Sequence, residues 1–299
     1  MTPRIIRTAC WAVAIACAIA SPAAAQLEGN LGALTPENVK GYLAPLPSAL
    51  SGTLTSSVFQ GASIPVAGFN VSLGVHAMAV TFSDDDRTYN PSDPPWFQST
   101  APVDAPTVIG STQTVSQPGQ GGTSLAHPGG FDLSQFAVAV PQLQIGSVLG
   151  TRLVLRYITL DLGDAELGDL SLFGIGAQHS ISRYFPGLPV NLAAGVFYQS
   201  FKIGEDDLID TRAFQFGVTA SKTFGFAEPY AMLGFDHFGM EVNYKNESIG
   251  TQDINVELDA ENNVHFTGGV LLGFPVAKLF AEFNLAAQPG AALGLRVGI

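Results

Sequence analysis

TRAFQFGVTASK, residues 211–222, alternates along its whole length. Phe214, Phe216, Val218 and Ala220 share one face of an extended strand. Thr211, Ala213, Gln215, Gly217, Thr219 and Ser221 share the other. A period of two held this long excludes a helix, whose faces repeat every 3.6 residues. Strands in soluble sheets run about five or six residues, whereas a strand that crosses a bilayer needs about nine to eleven. The second face is small and polar rather than charged, which suits the inside of a barrel.

The same rhythm extends in both directions. FNVSLGVHAMAVTF (69–82) sends Phe69, Val71, Leu73, Val75 and Ala77 one way and Asn70, Ser72, Gly74, His76 and Met78 the other. Further strands are expected at 136–145, 151–160, 169–185, 190–203, 229–245, 263–274, 277–287 and 291–299. That makes about ten, an even number within the bacterial range. Connections fall into two alternating classes: short turns such as GSVLG, FPGLP, FGFA and FPVA, and longer acidic loops. The expected fold is all-β, a closed antiparallel transmembrane barrel with short periplasmic turns and longer outer loops. Tyr184, Phe185, Phe224, Phe226, Tyr230 and Phe274 cluster beside the short turns as an interfacial girdle. Strand 229–245 breaks parity, because Leu233 and Phe235 oppose Phe238, Met240, Val242 and Tyr244. A bulge near Asp236–His237 would reconcile the two sets.

Two segments stand apart from the strands. Residues 83–133 form the longest irregular stretch, opening on SDDD and carrying Pro91, Pro94, Pro95 and QPGQGG. A loop of that length is functional or disordered. Residues 26–68 form an N-terminal extension in which Thr35 and Glu37 resemble a helix cap and Pro45 and Pro47 break the pattern. Short helical turns in the periplasm or the barrel mouth, or a plain linker, fit that stretch equally.

Met1–Ala25 reads as a secretory leader: basic Arg4 and Arg7, the apolar run CWAVAIACAIA, and small Ala23 and Ala25 before a cut ahead of Gln26. Both cysteines, Cys10 and Cys17, lie within it, so no disulfide framework is expected after cleavage. Losing two arginines deepens the formal charge of −12 by two units, which argues against nucleic acid as a partner. Charged residues are 13% of the chain, about half the soluble norm. No segment beyond the leader offers about eighteen uninterrupted apolar residues, so spanning helices are excluded. Export, low charge and alternating strands together place the expected site of action in a bacterial outer membrane, with its lipid and lipopolysaccharide as the surroundings.

RYITLDLGD, GIGAQHSISRYFPGLPVNLAAGVFYQ, PYAMLGF and the closing GLRVGI resemble an uncharacterised family of bacterial outer-membrane barrel proteins whose description is of unknown function. The resemblance spans about residues 40–299. A looser likeness is to barrels of the fatty-acid-transporter type. The resemblance implies fold and location; no functional residue carries over, because none is established for the family.

Inward parity selects Arg152, Arg156, Lys278, Glu282 and Arg296 as lumen-lining candidates. In the last hairpin, a Gln288–Pro289–Gly290 loop would pair Ala287 with Ala291 and set Glu282 opposite Arg296 as an ion pair, with Lys278 nearby. Asp236–His237 is the most enzyme-like pair, but neighbouring strand residues point to opposite faces, and no catalytic residue is expected. His76, His179 and His265 lack metal-ligand spacing. The acids Asp84, Asp85, Asp86, Glu205, Asp206, Asp207, Asp259 and Glu261 have the oxygen chemistry of divalent-ion ligands without a recognisable motif. GIG at 174–176 and TGG at 267–269 lack the helix that a phosphate loop requires. No cofactor is expected.

Three functions fit these features: a narrow pore or passive transporter for small or apolar solutes, a structural or adhesive surface barrel with a closed lumen, and a barrel hydrolase. About eight strands give a barrel filled by its own side chains and about sixteen a water-filled porin, so a wide pore is disfavoured. The topology is testable on intact cells. A membrane-impermeant thiol reagent is expected to label a cysteine at Asp85 and to miss one at Gly187; the reverse would invert the barrel.

Overall fold

The computed structural model describes residues 21–160, 170–204, 207–246, 252–260 and 263–298. Most of the expected leader, 1–25, therefore lies outside the described residues, as do DLGDAELG, Glu205, Asp206 and Glu261. The described residues open on three helices, α1 (Ser21–Gly32), α2 (Pro36–Leu43) and α3 (Pro45–Leu54). Strands follow: β1 (Ala67–Thr81), then four short pieces β2 (Thr88–Tyr89), β3 (Ala105–Pro106), β4 (Val115–Pro118) and β5 (Ser124–His127). The long strands are β6 (Gln135–Val148), β7 (Thr151–Leu160), β8 (Leu170–Ser180), β9 (Asn191–Ile203), β10 (Ile209–Ser221) and β11 (Ala227–Asn246). β12 (Gln252–Asp259), β13 (Val264–Gly273), β14 (Ala277–Leu285) and β15 (Gly290–Gly298) complete the chain.

Pairing is antiparallel in the order β10-β9-β8-β7-β6-β1-β15-β14-β13-β11-β12, and β10 also pairs with β11, which closes the ring. β11 meets β12 along its far half and β13 along its near half, so those two strands share one passage. The barrel thus has ten passages. The stretch 252–259, expected to be part of an acidic loop, is a strand because Ile254 and Val256 extend the ladder opposite Tyr244 and Val242. Among the described residues no helix is long and apolar enough to cross a membrane.

The outside of the ring is apolar. Phe214, Phe216 and Val218 on β10, Leu73 and Val75 on β1, and Leu293, Leu295 and Val297 on β15 are all exposed. Gln215, Thr219 and Ser221 are buried inside. This inverts a soluble protein and matches a barrel bathed in lipid. Tyr184, Phe185, Phe224, Phe226 and Phe274 are exposed at the short-turn end, as expected of a girdle. Tyr230 is not among them. It is buried, because its even parity on β11 turns it into the lumen.

The lumen is occupied by the chain's own N-terminal segment. Thr35 caps α2, its Oγ1 accepting from Asn38 N at 3.4 Å, and Pro36 opens the helix. Pro45 does not end the helical region. It starts α3, where its missing N–H costs nothing. Helices α1 to α3 sit toward the long-loop end, and residues 55–66 run down the lumen to β1 at the short-turn end. The stretch 83–133 folds over the helices: Tyr42 donates to Gly129 O at 3.0 Å, Val108 N to Tyr42 O at 2.8 Å, and Asn38 and Ser92 bond twice. Burial pushes the Tyr42 hydroxyl up to about 12, so it remains a donor there at any ordinary pH.

This filling explains the parity break on β11. The β10–β11 register is unbroken from Ile209–Val242 to Ser221–Tyr230, so there is no bulge at Asp236–His237. Phe238, Met240, Val242 and Tyr244 all point inward and are buried in one apolar cluster with Leu31, Val39, Leu43 and Leu50 of the helices. The rule of polar inside and apolar outside reverses where the lumen holds an apolar core. Met240→Glu is accordingly expected to destabilise the barrel by about 2–4 kcal/mol, seen as a lower temperature for loss of heat-modifiable gel migration. The neighbouring Glu241→Met is expected to leave that temperature unchanged.

Candidate functional site

Residues 54–63 descend the lumen without a regular ladder, so their backbone groups need partners from the wall. Arg156 on β7 supplies the first. Its Nη1 donates to Leu54 O and its Nη2 to Ser56 O, both at 2.7 Å, while Nε donates to Gln142 Oε1 at 2.8 Å. The guanidinium carbon also lies 5.4 Å from the centre of the Phe197 ring. Opposite it, Glu282 on β14 accepts from Ser57 N at 2.7 Å and from the Tyr230 hydroxyl at 2.7 Å. Ser57 has a left-handed φ of 53°, rare for a residue with a Cβ. In that conformation its N–H meets Glu282 and its carbonyl meets His76 Nδ1 at 2.9 Å.

Below and around this centre the wall continues to grip the segment. Gln215 donates to Thr55 O at 2.9 Å, Gln199 to Leu54 O at 3.3 Å and Gln142 to Val58 O at 3.2 Å. Further down, Arg152 donates to Gly61 O at 3.1 Å, Ala62 N to Ser221 Oγ at 2.8 Å and Ser63 N to Glu228 Oε1 at 3.2 Å. Phe59 packs edge-on against Phe197 at 6.5 Å between ring centres. Gly195 makes room for it, since a Cβ there would lie 2.6 Å from the Phe59 ring.

Arg152, Arg156, Lys278, Glu282 and Arg296 thus all project from the inner face. Arg156, Glu282 and Arg296 are buried, and Lys278 stands at the short-turn rim. The hairpin register differs from the sequence expectation. β14 and β15 pair Lys278 with Arg296 and Glu282 with Ala292, so no Glu282–Arg296 ion pair forms. Ala286 and Ala287 leave the ladder, because the loop bends onto α3, where a Cβ on Gly52 would lie 3.3 Å from Gln288 O. Gly290 is then free to pair with Val80 of β1.

Asp236 and His237 point apart, as the alternation requires. Asp236 Oδ2 instead meets His265 Nδ1 at 2.6 Å and accepts from Thr55 Oγ1 at 3.2 Å. His265 Nε2 faces Gln215 at 3.5 Å. Pairing across β11 and β13, not adjacency along one strand, brings the acid and imidazole together. Among the described residues no group of three or more potential ligands could hold a metal ion. Asp86 accepts from Ser83 at the start of a short helical turn, and Asp207 pairs with Lys202. Sequence reading set Gln215 on the inner face and named the charged wall residues, but it missed the amides of Gln142 and Gln199, the inward turn of Tyr230 and the Asp236–His265 pair. Inward-facing glutamines recurring from strand to strand are the signal that marks them.

Arg156 is the tether on which these contacts converge. Arg156→Leu is expected to leave the Ser56 carbonyl unpaired and Leu54 O with only its bond from Gln199, and to cost about 1–3 kcal/mol. Amide exchange should speed up at residues 54–63 before it does so in the strands.

The sequence profile of a family of unknown function (DUF6588) matches residues 4–299. No curated protein matches the chain. Among solved structures it is similar to a Pseudomonas aeruginosa FadL homologue, at 8% identity and a TM-score of 0.27, over 84% of this chain and 97% of that one. It is also similar to a loop L8 deletion mutant of OmpT, an outer membrane protein of Vibrio cholerae, at 10% identity and 0.25, over 78% and 100%. A third is the beta domain of the Bordetella autotransporter BrkA, at 11% identity and 0.26, over 76% and 98%.

Proposed function

The chain belongs to this DUF6588 family of unknown function, and from that premise we propose that it is an outer-membrane barrel acting as a narrow, gated pore for small solutes. Residues 45–66 are the gate. The leader and the lipid-facing exterior support the location, with the short turns in the periplasm and the 83–133 cap outside.

One observation carries the reading: apart from Val154, Phe197 and Met232, which pack on Val58 and Phe59, the wall that faces residues 54–63 is polar and hydrogen-bonding. Gln142, Gln144, Gln178, Gln199, Gln215, Thr219 and Ser221 are all buried there around the charges of Arg156 and Glu282. Residues 54–63 depend on that wall for backbone partners, at the desolvation penalty of two buried charges, whereas a filling that satisfies its own backbone as a helix can be enclosed by an apolar wall. The long-loop half of the same lumen is built that way, around Phe238 and Met240. Amides that bond to a peptide backbone bond equally well to water or a polar solute once the backbone departs. Wettability of the vacated lumen is what a gated pore needs.

The cap favours a second reading. Its hydrogen bonds to α1 and α2 close the outer mouth, which suits a surface barrel whose outer loop is the working part. Conductance separates the two. Refolded full-length protein in planar bilayers is expected to stay mostly closed. A variant lacking residues 27–64, with heat-modifiable migration confirming its fold, is expected to carry a small steady current. No current from the folded truncated barrel would overturn the pore and leave the closed surface barrel.

A further inference from the structure

We infer that the short-turn mouth holds a binding site for a small soluble anion bearing a carboxylate or phosphate group. The site is present with the lumen segment in place, so it does not depend on passage of solute through the barrel.

A cavity of about 420 Å³ opens at this mouth, lined among others by Arg152, Lys278, Arg296, Glu228, Ser63 and Gln144. Among the described residues, three cationic side chains share it with one carboxylate. Glu228 is held in place, its Oε1 accepting from Ser221 Oγ at 2.6 Å and from Ser63 N at 3.2 Å, and its one charge faces three cations. Lys278 and Arg296 stand directly opposite each other across β14 and β15. Like charges so placed repel unless an anion lies between them.

Arg296 is the specific signal. Its side chain is 2% exposed. Nη1 donates to Gln144 Oε1, but Nε and Nη2 have no hydrogen-bond partner among the described residues. Two unpaired donors on a buried guanidinium are costly. Nε and Nη2 form the edge of the planar fork that grips a carboxylate or phosphate with two parallel bonds. Arg152 also lines the cavity, and its Nε lacks a partner as well. Gly74, facing Arg296 across β1 and β15, allows the side chain to lie flat against the wall: a Cβ there would sit 2.6 Å from Arg296 Cγ. The volume exceeds that of a bare oxyanion and falls within the range of small-molecule sites, about 300–1,000 Å³. Ile64, Pro65 and Phe274 offer apolar surface to the remainder of an organic acid.

Calorimetric titration of the full-length protein in an uncharged detergent, with inorganic phosphate and with succinate as probes, tests the site. Saturable binding of one anion per chain is expected, weakened at least about tenfold by Arg296→Gln, equivalent to about 1.4 kcal/mol. Lys278→Gln at the exposed rim keeps the test open should the buried variant fail to fold, and is expected to weaken binding severalfold. In nanodiscs, replacing phosphatidylcholine with phosphatidylglycerol is expected to leave phosphate affinity unchanged. Loss of phosphate binding there would make a lipid headgroup the occupant and overturn the soluble anion. No saturable binding of either probe by the folded protein, or wild-type affinity in both folded variants, would overturn the site altogether.

Discussion

A guanidinium inside a barrel cannot reach bulk water, so its charge must be met by whatever shares the lumen. Arg156 meets two backbone carbonyls, Leu54 O and Ser56 O, across the space that β7 helps enclose. Glu282 answers from the far side by taking Ser57 N. One positive and one negative wall residue therefore hold the acceptors and a donor of the same short turn, which fixes the height of the segment. α3 then falls in the long-loop half, where its apolar residues find Phe238 and Met240. Residues 58–66 fall in the short-turn half, where glutamines, serine and Arg152 receive them.

The lumen consequently has two zones with opposite chemistry. Toward the long loops it is a small apolar protein core built between helices and barrel strands. Toward the short turns it is a hydrogen-bonded sleeve around irregular backbone. The two zones have different energetic bases. Burial of carbon surface stabilises the first, at about 25 cal/mol per Å². Satisfaction of polar groups that folding has already removed from water maintains the second.

How much of this could be read from the sequence follows from the same division. The barrel was legible because lipid-facing residues must be apolar whatever fills the interior, so Phe214, Phe216 and Val218 announce the strand by themselves. Strand number followed, and so did the alternation of faces outside β11. Parity failed as a guide on β11 at Phe238–Tyr244, where the inner face is apolar because helices from distant sequence lie against it. The β14–β15 register was not legible either. Alternation fixes which face a residue takes but leaves shifts by two or four residues open, and here the fold of Gln288 onto α3 decides between them. The grip on residues 54–63 depends on contacts as much as 228 residues apart, such as Asn284 with Ser56. No local pattern encodes those.

The path of the chain also imposes an order of events. From α1 at one mouth it threads the lumen and enters β1 only at the other end, yet β1 is the strand against which β15 seals the ring. A helix with its side chains measures about 10–12 Å across, and α2 is further locked beneath the 83–133 cap. Pulling that assembly through a finished hoop would mean unfolding it. The geometry therefore favours a hoop stitched around the thread, the seam between first and last strands closing over a segment already in place.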